Sequence, residues 1–222
     1  MIIAIDGPSG SGKSTLGRML ARALNLLYID TGSMYRAVAL AVIEAQIDPR
    51  DAEAVTALAN EIDIDLEGDP DSLKVLLEGR DVTEQIRTEN VTAMSSIVSS
   101  IPGVRRAMVA RQRVMAQRGA VLNGRDIGTV VFPEADVKFF LTAVPEERAE
   151  RRFKEDQLTA AASVSLAQTL AEMIERDKRD STRADSPLKI AEGAIVVDST
   201  GKTIDEVFAQ MMERVSNVHR HH

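Results

Sequence analysis

The chain has no cysteine and no tryptophan, and aromatic residues make up only 3% of it. Without thiols there is no thiol nucleophile, no disulfide and no cysteine-built zinc site, and the composition fits a reducing compartment. So few aromatics argue against a protein that stacks the bases of long single strands. A formal net charge of −7 argues against a polyanion as the main partner, so no nucleic-acid role is expected. The three histidines, His219, His221 and His222, all lie in the tail. Imidazole chemistry in the core is therefore excluded, and catalysis falls to lysine, arginine, carboxylates, backbone N–H groups and a metal. No apolar run reaches the ~18 residues of a membrane span. The N-terminus enters a strand-like segment with no basic leader or cleavage site, and the expectation is a cytoplasmic protein.

What is present is ordinary for a globular chain: 222 residues, 44% hydrophobic and 27% charged. That is enough for one full core domain with a small insert or lid. Short apolar runs at Ile2–Ile5, Leu26–Ile29, Ala120–Leu122, Val137–Leu141 and Ile195–Val197 read as five buried strands. Helical spacing follows the first at Leu16, Met19, Leu20 and Ala23. Further helices are expected over Met34–Ala45, after a Thr31-Gly32 turn, and over Asp51–Asn60. Two more, Val91–Ser100 and Val104–Gln117, are expected on either side of a Pro102-Gly103 break. Pro145 opens a basic helix, and Leu166–Asp180 and Ile204–Val215 read as the last two. Between Ile62 and Arg87, apolar and acidic residues alternate around a Gly68-Asp69-Pro70 turn, the mark of a small antiparallel insert. Apolar strands separated by helices predict an α/β fold, a parallel sheet covered on both faces. Ligands of such sheets gather at the carboxyl ends of the strands, where Asp6, Asp30, Arg125 and Asp126 fall.

Gly7-Pro8-Ser9-Gly10-Ser11-Gly12-Lys13-Ser14 satisfies G-x-x-x-x-G-K-[ST], with a strand before it and an amphipathic helix after it. In that context the glycines let backbone N–H groups curl around phosphates at a helix N-terminus. Lys13 would reach the β- and γ-phosphates, and the Ser14 hydroxyl would ligate Mg²⁺. The nucleotide-binding set is Gly7 through Thr15. No Asn-Lys-x-Asp element of a GTPase is found, and Val137–Leu141 ends in Thr142 rather than in the acid of an ATP motor. Scattered arginines suggest instead a phosphoryl transfer, in which positive charge must surround a trianionic group.

Four segments sharpen this reading. Ile5-Asp6-Gly7-Pro8-Ser9-Gly10-Ser11-Gly12-Lys13 resembles the IDGPSGxGK of bacterial cytidylate kinases in the nucleoside monophosphate kinase group. Asp30-Thr31-Gly32-Ser33-Met34-Tyr35-Arg36 resembles their D[ST]GxxYR. Asn123-Gly124-Arg125-Asp126-Ile127-Gly128-Thr129-Val130-Val131-Phe132-Pro133 resembles their DGRDxGTVVFP, and Glu175-Arg176-Asp177-Lys178-Arg179-Asp180-Ser181-Thr182-Arg183 resembles their ERDxRDxxR. The likeness runs from Ile3 to about Glu213. Asn123 departs from the family's usual Asp, and Ser14 from the Gly of some members.

The resemblance implies a P-loop three-layer αβα fold with a five-stranded parallel sheet, a small antiparallel β insert and a short helical lid. It implies transfer of the γ-phosphoryl group of ATP·Mg²⁺ to CMP or dCMP by a monomer. Thr31 and Arg36 would touch the CMP phosphate, with Arg125 and Arg183 completing the clamp. Ser96, Arg105 and Asp126 would read cytosine, Arg176 and Asp180 would meet the sugar, and Arg148 and Arg152 would belong to the lid. The division expected is a core of 1–30, 90–145 and 184–222, a monophosphate-binding arm of 31–89 with its insert at about 62–87, and a lid with flanking helices at 146–183.

Residue chemistry agrees with the base assignment. A carboxylate accepts from the cytosine N4 amino group, while arginine or serine donates to O2 and N3; uracil presents O4, which Asp126 would repel. Spacing alone leaves other readings open. Arg105 shares its helix with Arg106, Arg111 and Arg113 and fits a solvated face, and Arg176, Asp180 and Arg183 fit a surface ion-pair ladder. Asp126 and Thr31 fit caps or turns, and Asp30 fits a metal-water, lysine-fixing or strand-ending role. Rival functions are a kinase for AMP, UMP or shikimate, and a nucleotide-sensing switch.

Overall fold

The computed structural model describes residues 1–158 and 165–219. Five parallel strands form the central sheet: β1 (Ile2–Asp6), β2 (Leu27–Asp30), β6 (Ala120–Gly124), β7 (Val137–Thr142) and β8 (Ile195–Asp198), in the order β2-β6-β1-β7-β8. Their apolar residues split between the two faces with the period of a strand. Ile3 and Ile5 pack with Leu16 and Leu20 of α1 (Lys13–Leu24) and with Val207, Met211 and Val215 of α8 (Ile204–His219). Ala4, Ile29 and Leu122 face the other way, onto Met34, Ala37 and Val38 of α2 (Thr31–Glu44) and Val104 and Met108 of α5 (Pro102–Met115). The result is the expected three-layer αβα arrangement.

α3 (Ala52–Glu61), capped by Asp51, leads into a separate antiparallel sheet, β3 (Ile64–Glu67), β4 (Lys74–Leu77) and β5 (Arg80–Asp81). Ile64, Leu66, Val75 and Leu77 turn one face of this insert into the larger core cluster. α4 (Glu89–Val98) packs on α2, and α6 (Pro145–Leu158) packs on α7 (Leu166–Thr182). Residues 159–164 of the expected lid, and His221 and His222 of the tail, lie outside the described residues. Among the described residues no helix is long and apolar enough to cross a membrane.

Three local expectations need correction. Thr31 and Gly32 are not a turn before α2 but its first residues, because Asp30 caps the helix by accepting from the Ser33 N–H at 3.3 Å. Pro102 and Gly103 do not separate two helices; they open α5, with proline at a first-turn position whose missing N–H needs no partner. The strand expected over Ala120–Leu122 runs two residues further, through Asn123 and Gly124, in register with Ile5 and Asp6 of β1. Downstream, Ile127–Val131 winds into a π-helical turn that no periodicity announced.

Candidate active site

The site lies where β1, β2 and β6 end. Between β1 and α1 the chain turns so tightly that Gly7 and Gly10 have no room for a side chain. A Cβ on Gly7, at φ +148°, would stand 2.0 Å from the Leu141 carbonyl oxygen, and one on Gly10, at φ +71°, 2.6 Å from that of Arg148. Inside this loop the Ser11 hydroxyl donates to the Pro8 carbonyl at 2.9 Å, and the buried Lys13 ammonium donates to the same oxygen at 2.6 Å. Burial, then the nearby Arg125 and Arg176, push the lysine well below its ordinary pKa. An ammonium so crowded by like charge gains most from an anion set beside it.

A cavity of about 290 Å³ opens in front of the loop. Its walls carry eight cationic side chains against four carboxylates, the reverse of the chain's overall balance. Lys13, Ser14 and Thr15 of the loop line it together with Thr31, Arg36, Arg125, Arg176 and Arg183. Each of the three deep carboxylates holds arginine. Asp30 holds Arg36 at 3.5 Å, and Asp180 accepts from Arg125 Nε at 2.9 Å. Asp126 accepts from Arg105 Nη2 in a buried pair and stands 3.8 Å from Arg183. Burial opposes ionisation of Asp180, but Arg125 and Arg176 outweigh it and hold the carboxyl below its usual range. Burial, then Arg125, pushes Arg176 down to about 10.

Ser96, Arg105 and Asp126 line the same cavity, with Tyr35 and Ser99. Arg105 is therefore not on a solvated face. Only 3% of it is exposed, and it also donates to the Ser99 carbonyl at 3.1 Å. Arg176, Asp180 and Arg183 share the face of α7 that looks into the cavity.

Other residues take supporting positions. Asp6 accepts from the N–H groups of Ile127 and Gly128 at 2.8 and 2.7 Å and so anchors the turn that follows Arg125 and Asp126. Asp30 caps α2 and fixes Ser33, whose hydroxyl donates to it at 2.8 Å. Thr31 donates to the Asn123 carbonyl at 2.7 Å. Asn123 Nδ2 donates to the exposed Ser14 hydroxyl at 3.0 Å, while Asn123 Oδ1 is buried without a partner. Arg148 is turned away from the cavity: its guanidinium donates to the Ala143 and Ser9 carbonyls, each at 3.0 Å, and to Asp177 at 2.7 Å. It ties the phosphate-type loop to α6 and α7. Arg152 does line the cavity, near Glu155 at 3.9 Å.

Two wall residues went unread in the sequence. Tyr35 precedes Arg36 within the D[ST]GxxYR-like segment, four residues after Thr31, a spacing that puts both on one side of α2. Arg179 lies between Arg176 and Arg183 at intervals of three and four, and it too reaches the cavity.

The buried carboxylate at Asp6 carries a pH signature. Burial pushes it from 3.8 up to about 6, against the lowering effect of its two N–H bonds. A carboxyl whose folded pKa is raised binds protons more tightly in the native state, so stability falls as pH rises from about 4 to about 6 and is level above that. At about 1.4 kcal/mol per unit the interval is worth roughly 3 kcal/mol. Urea midpoints of wild type and Asp6→Asn across pH 4 to 7 should show the stability difference between them shrinking as pH rises. A constant difference would contradict this account.

Among the described residues no group of three or more acids or histidines could hold a metal by itself. The donor set fits a divalent cation that arrives chelated by phosphate oxygens, with the exposed Ser14 hydroxyl, steadied by Asn123, adding one ligand.

A family model described as cytidylate kinase matches residues 3–217. A curated cytidylate kinase of Desulforamulus reducens is 54% identical over 207 residues, 92% of each chain. One from Geobacter sp. strain M21 is 46% identical over 215 residues, 96% of this chain and 91% of its own. One from Carboxydothermus hydrogenoformans is 47% identical over 214 residues, 96% of each chain. Among solved structures, a protein from Eubacterium ventriosum shares the fold, with a TM-score of 0.55 at 12% identity over 98% of each chain.

Proposed function

This chain belongs to the cytidylate kinase family, and from that premise we propose that it transfers the γ-phosphoryl group of ATP to CMP or dCMP, giving ADP and CDP or dCDP. The observation that carries the proposal is that one cavity is lined by Lys13 of the glycine loop, by Arg36, Arg125 and Arg183, and by a buried Arg105–Asp126 pair. A nucleotide-sensing switch has no need of those further arginines.

In this reading the loop from Gly7 to Thr15 cradles the donor phosphates, and Lys13 meets the β- and γ-oxygens. Mg²⁺, brought by the nucleotide and touched by Ser14, neutralises phosphate charge. Arg36, Arg125 and Arg183 receive the acceptor phosphate with Thr31. Arg125 begins in partnership with Asp180, so an incoming phosphate competes with that carboxylate for the guanidinium. Asp180, released, becomes an acceptor for the sugar hydroxyls beside Arg176. Asp126, Arg105 and Ser96 read the base edge. An acceptor phosphate is mostly dianionic at neutral pH and attacks without a general base, which accords with a core free of histidine. The protein's contribution is positioning and charge.

We further propose three parts: the core of 1–30, 90–145 and 184–222, the arm of 31–89 with its insert, and the lid of 146–183. Closure of arm and lid would exclude water and limit ATP hydrolysis. Within the lid, Arg152 faces the transferring phosphates, and Arg148 acts from below by bracing Ser9. The enzyme is taken to work as a monomer on small molecules in the cytoplasm. A coupled ADP-release assay across CMP, dCMP, UMP and AMP tests the function. Turnover led by CMP or dCMP is expected; a preference for AMP would defeat the acceptor assignment, and ATP binding without turnover would favour the switch.

A further inference from the structure

Arg105 is held by hydrogen bonds along its edge and by an aromatic ring beneath its central carbon. Along the edge, Nη1 donates to the Ser99 carbonyl and Nη2 to Asp126, while Nε is buried without a partner. The guanidinium carbon also stands over the ring of Tyr35, 5.5 Å from its centroid, within the ~6 Å reach of a cation–π contact. Edge bonds alone leave a planar group able to rock about the line that joins them. A ring packed beneath the group restricts that freedom. Tyr35 belongs to α2, next to Arg36 and one turn past Thr31, so the helix that carries the phosphate-side residues also braces the arginine at the base end.

We propose that Tyr35 is a specificity-positioning residue: its ring face sets the angle at which Arg105 donates to the base, and the choice of cytosine over uracil depends on it. The inference rests on the cytidylate reading of the site. Cytosine N3 is an acceptor and uracil N3 carries a hydrogen, so an aligned Arg105 N–H gains a bond with one and meets a donor on the other. A tilted guanidinium loses that contrast. Burial pushes the Tyr35 hydroxyl up to about 12, against the opposing effect of Arg105. The ring is thus neutral at working pH and acts through its face rather than as a phenolate. Its hydroxyl is dispensable on this account, and phenylalanine should serve in its place.

The test is the ratio of kcat/KM for CMP to that for UMP, measured with the melting temperature in wild type, Tyr35→Phe, Tyr35→Leu and Arg105→Ala. Tyr35→Phe should keep the ratio within about twofold. Tyr35→Leu should lower it by about tenfold, in line with loss of a desolvated cation–π contact, mainly through the KM for CMP, because the base is remote from the transferring group. A series of fluorinated phenylalanines at position 35 keeps the ring's shape while draining negative charge from its face, so it reads the contact in a folded protein; the ratio should fall with each added fluorine. No dependence on fluorination, or a Phe variant as impaired as Leu, overturns the proposal. If Arg105→Ala collapses the ratio and Tyr35→Leu does not, Tyr35 alone is misassigned. If Arg105→Ala also leaves the ratio unchanged, the base-site reading itself has failed, and the proposal falls with it.

Discussion

Arg183→Ala should lower turnover by roughly two to three orders of magnitude, the usual consequence of removing one donor from a charge-stabilising site, while changing stability by only about 1 kcal/mol. The asymmetry comes from how Arg183 is held. It terminates α7, and its one close bond is from Nε to the Ser186 carbonyl at 2.6 Å. Its contacts with Asp126 and Asp180 are long, 3.8 and 3.9 Å, and among the described residues the buried Nη2 has no hydrogen-bond partner. Burial, then the neighbouring Arg105, lowers its pKa, so the folded protein gains little from its charge. A group whose donors are under-used at rest, facing a site that must hold several phosphate charges, has its value in the transition state. Arg183→Lys should recover little, because a single ammonium cannot reproduce the planar fork. Steady-state kcat and thermal melts check the prediction. Unchanged kcat with a large drop in stability would make Arg183 a structural residue.

The parts of the site legible in the sequence are those written in local spacing. The glycine loop and the order of strands and helices follow from patterns within a few residues, whereas the spacing of the α7 arginines fits a surface ladder equally well and only the family resemblance turns them inward. The supporting bonds join distant segments, and no local pattern records them. Asp6 reads as a cleft acid because it ends an apolar run, yet its partners are backbone N–H groups 121 and 122 residues away. The family resemblance makes Arg148 a lid cation, yet its guanidinium reaches a carbonyl 139 residues away. The Thr31-Gly32 turn was misread for a different reason. Threonine and glycine signal a turn until the capping role of Asp30, one residue earlier, is weighed. Asn123 extends the strand expected over Ala120–Leu122, although Asn-Gly favours turns, because parallel neighbours on both sides hold it in the sheet. That placement gives the Asp-to-Asn departure a physical meaning. An amide can donate to Ser14, which a carboxylate cannot do, and it leaves the carboxyl ends of β1 and β2 with one negative charge fewer.

The second large effect concerns Asp126, where stability and specificity are entangled. Only 3% of the Arg105 side chain and 8% of the Asp126 side chain are exposed. Asp126→Ala strands a buried guanidinium, and breaking such a pair costs about 3–5 kcal/mol. A loss of CMP turnover in that variant would therefore be ambiguous. The double variant Arg105→Met/Asp126→Leu removes both charges and should recover much of the stability, with no recovery of activity on CMP. Asp126→Asn isolates the chemistry. Its amide oxygen can still accept from Arg105, which moderates the folding penalty, but the amide now offers N–H to the base where the carboxylate offered lone pairs. Cytosine N4 then meets a donor, and uracil O4 finds one it lacked. The CMP:UMP ratio of kcat/KM should therefore fall by at least tenfold, a shift a buried unpaired group readily produces, and part of the change should appear as a gain on UMP. A gain on the wrong base cannot come from a damaged fold, so it separates recognition from stability. A variant that loses CMP and UMP activity in equal proportion would show that Asp126 serves only to hold Arg105.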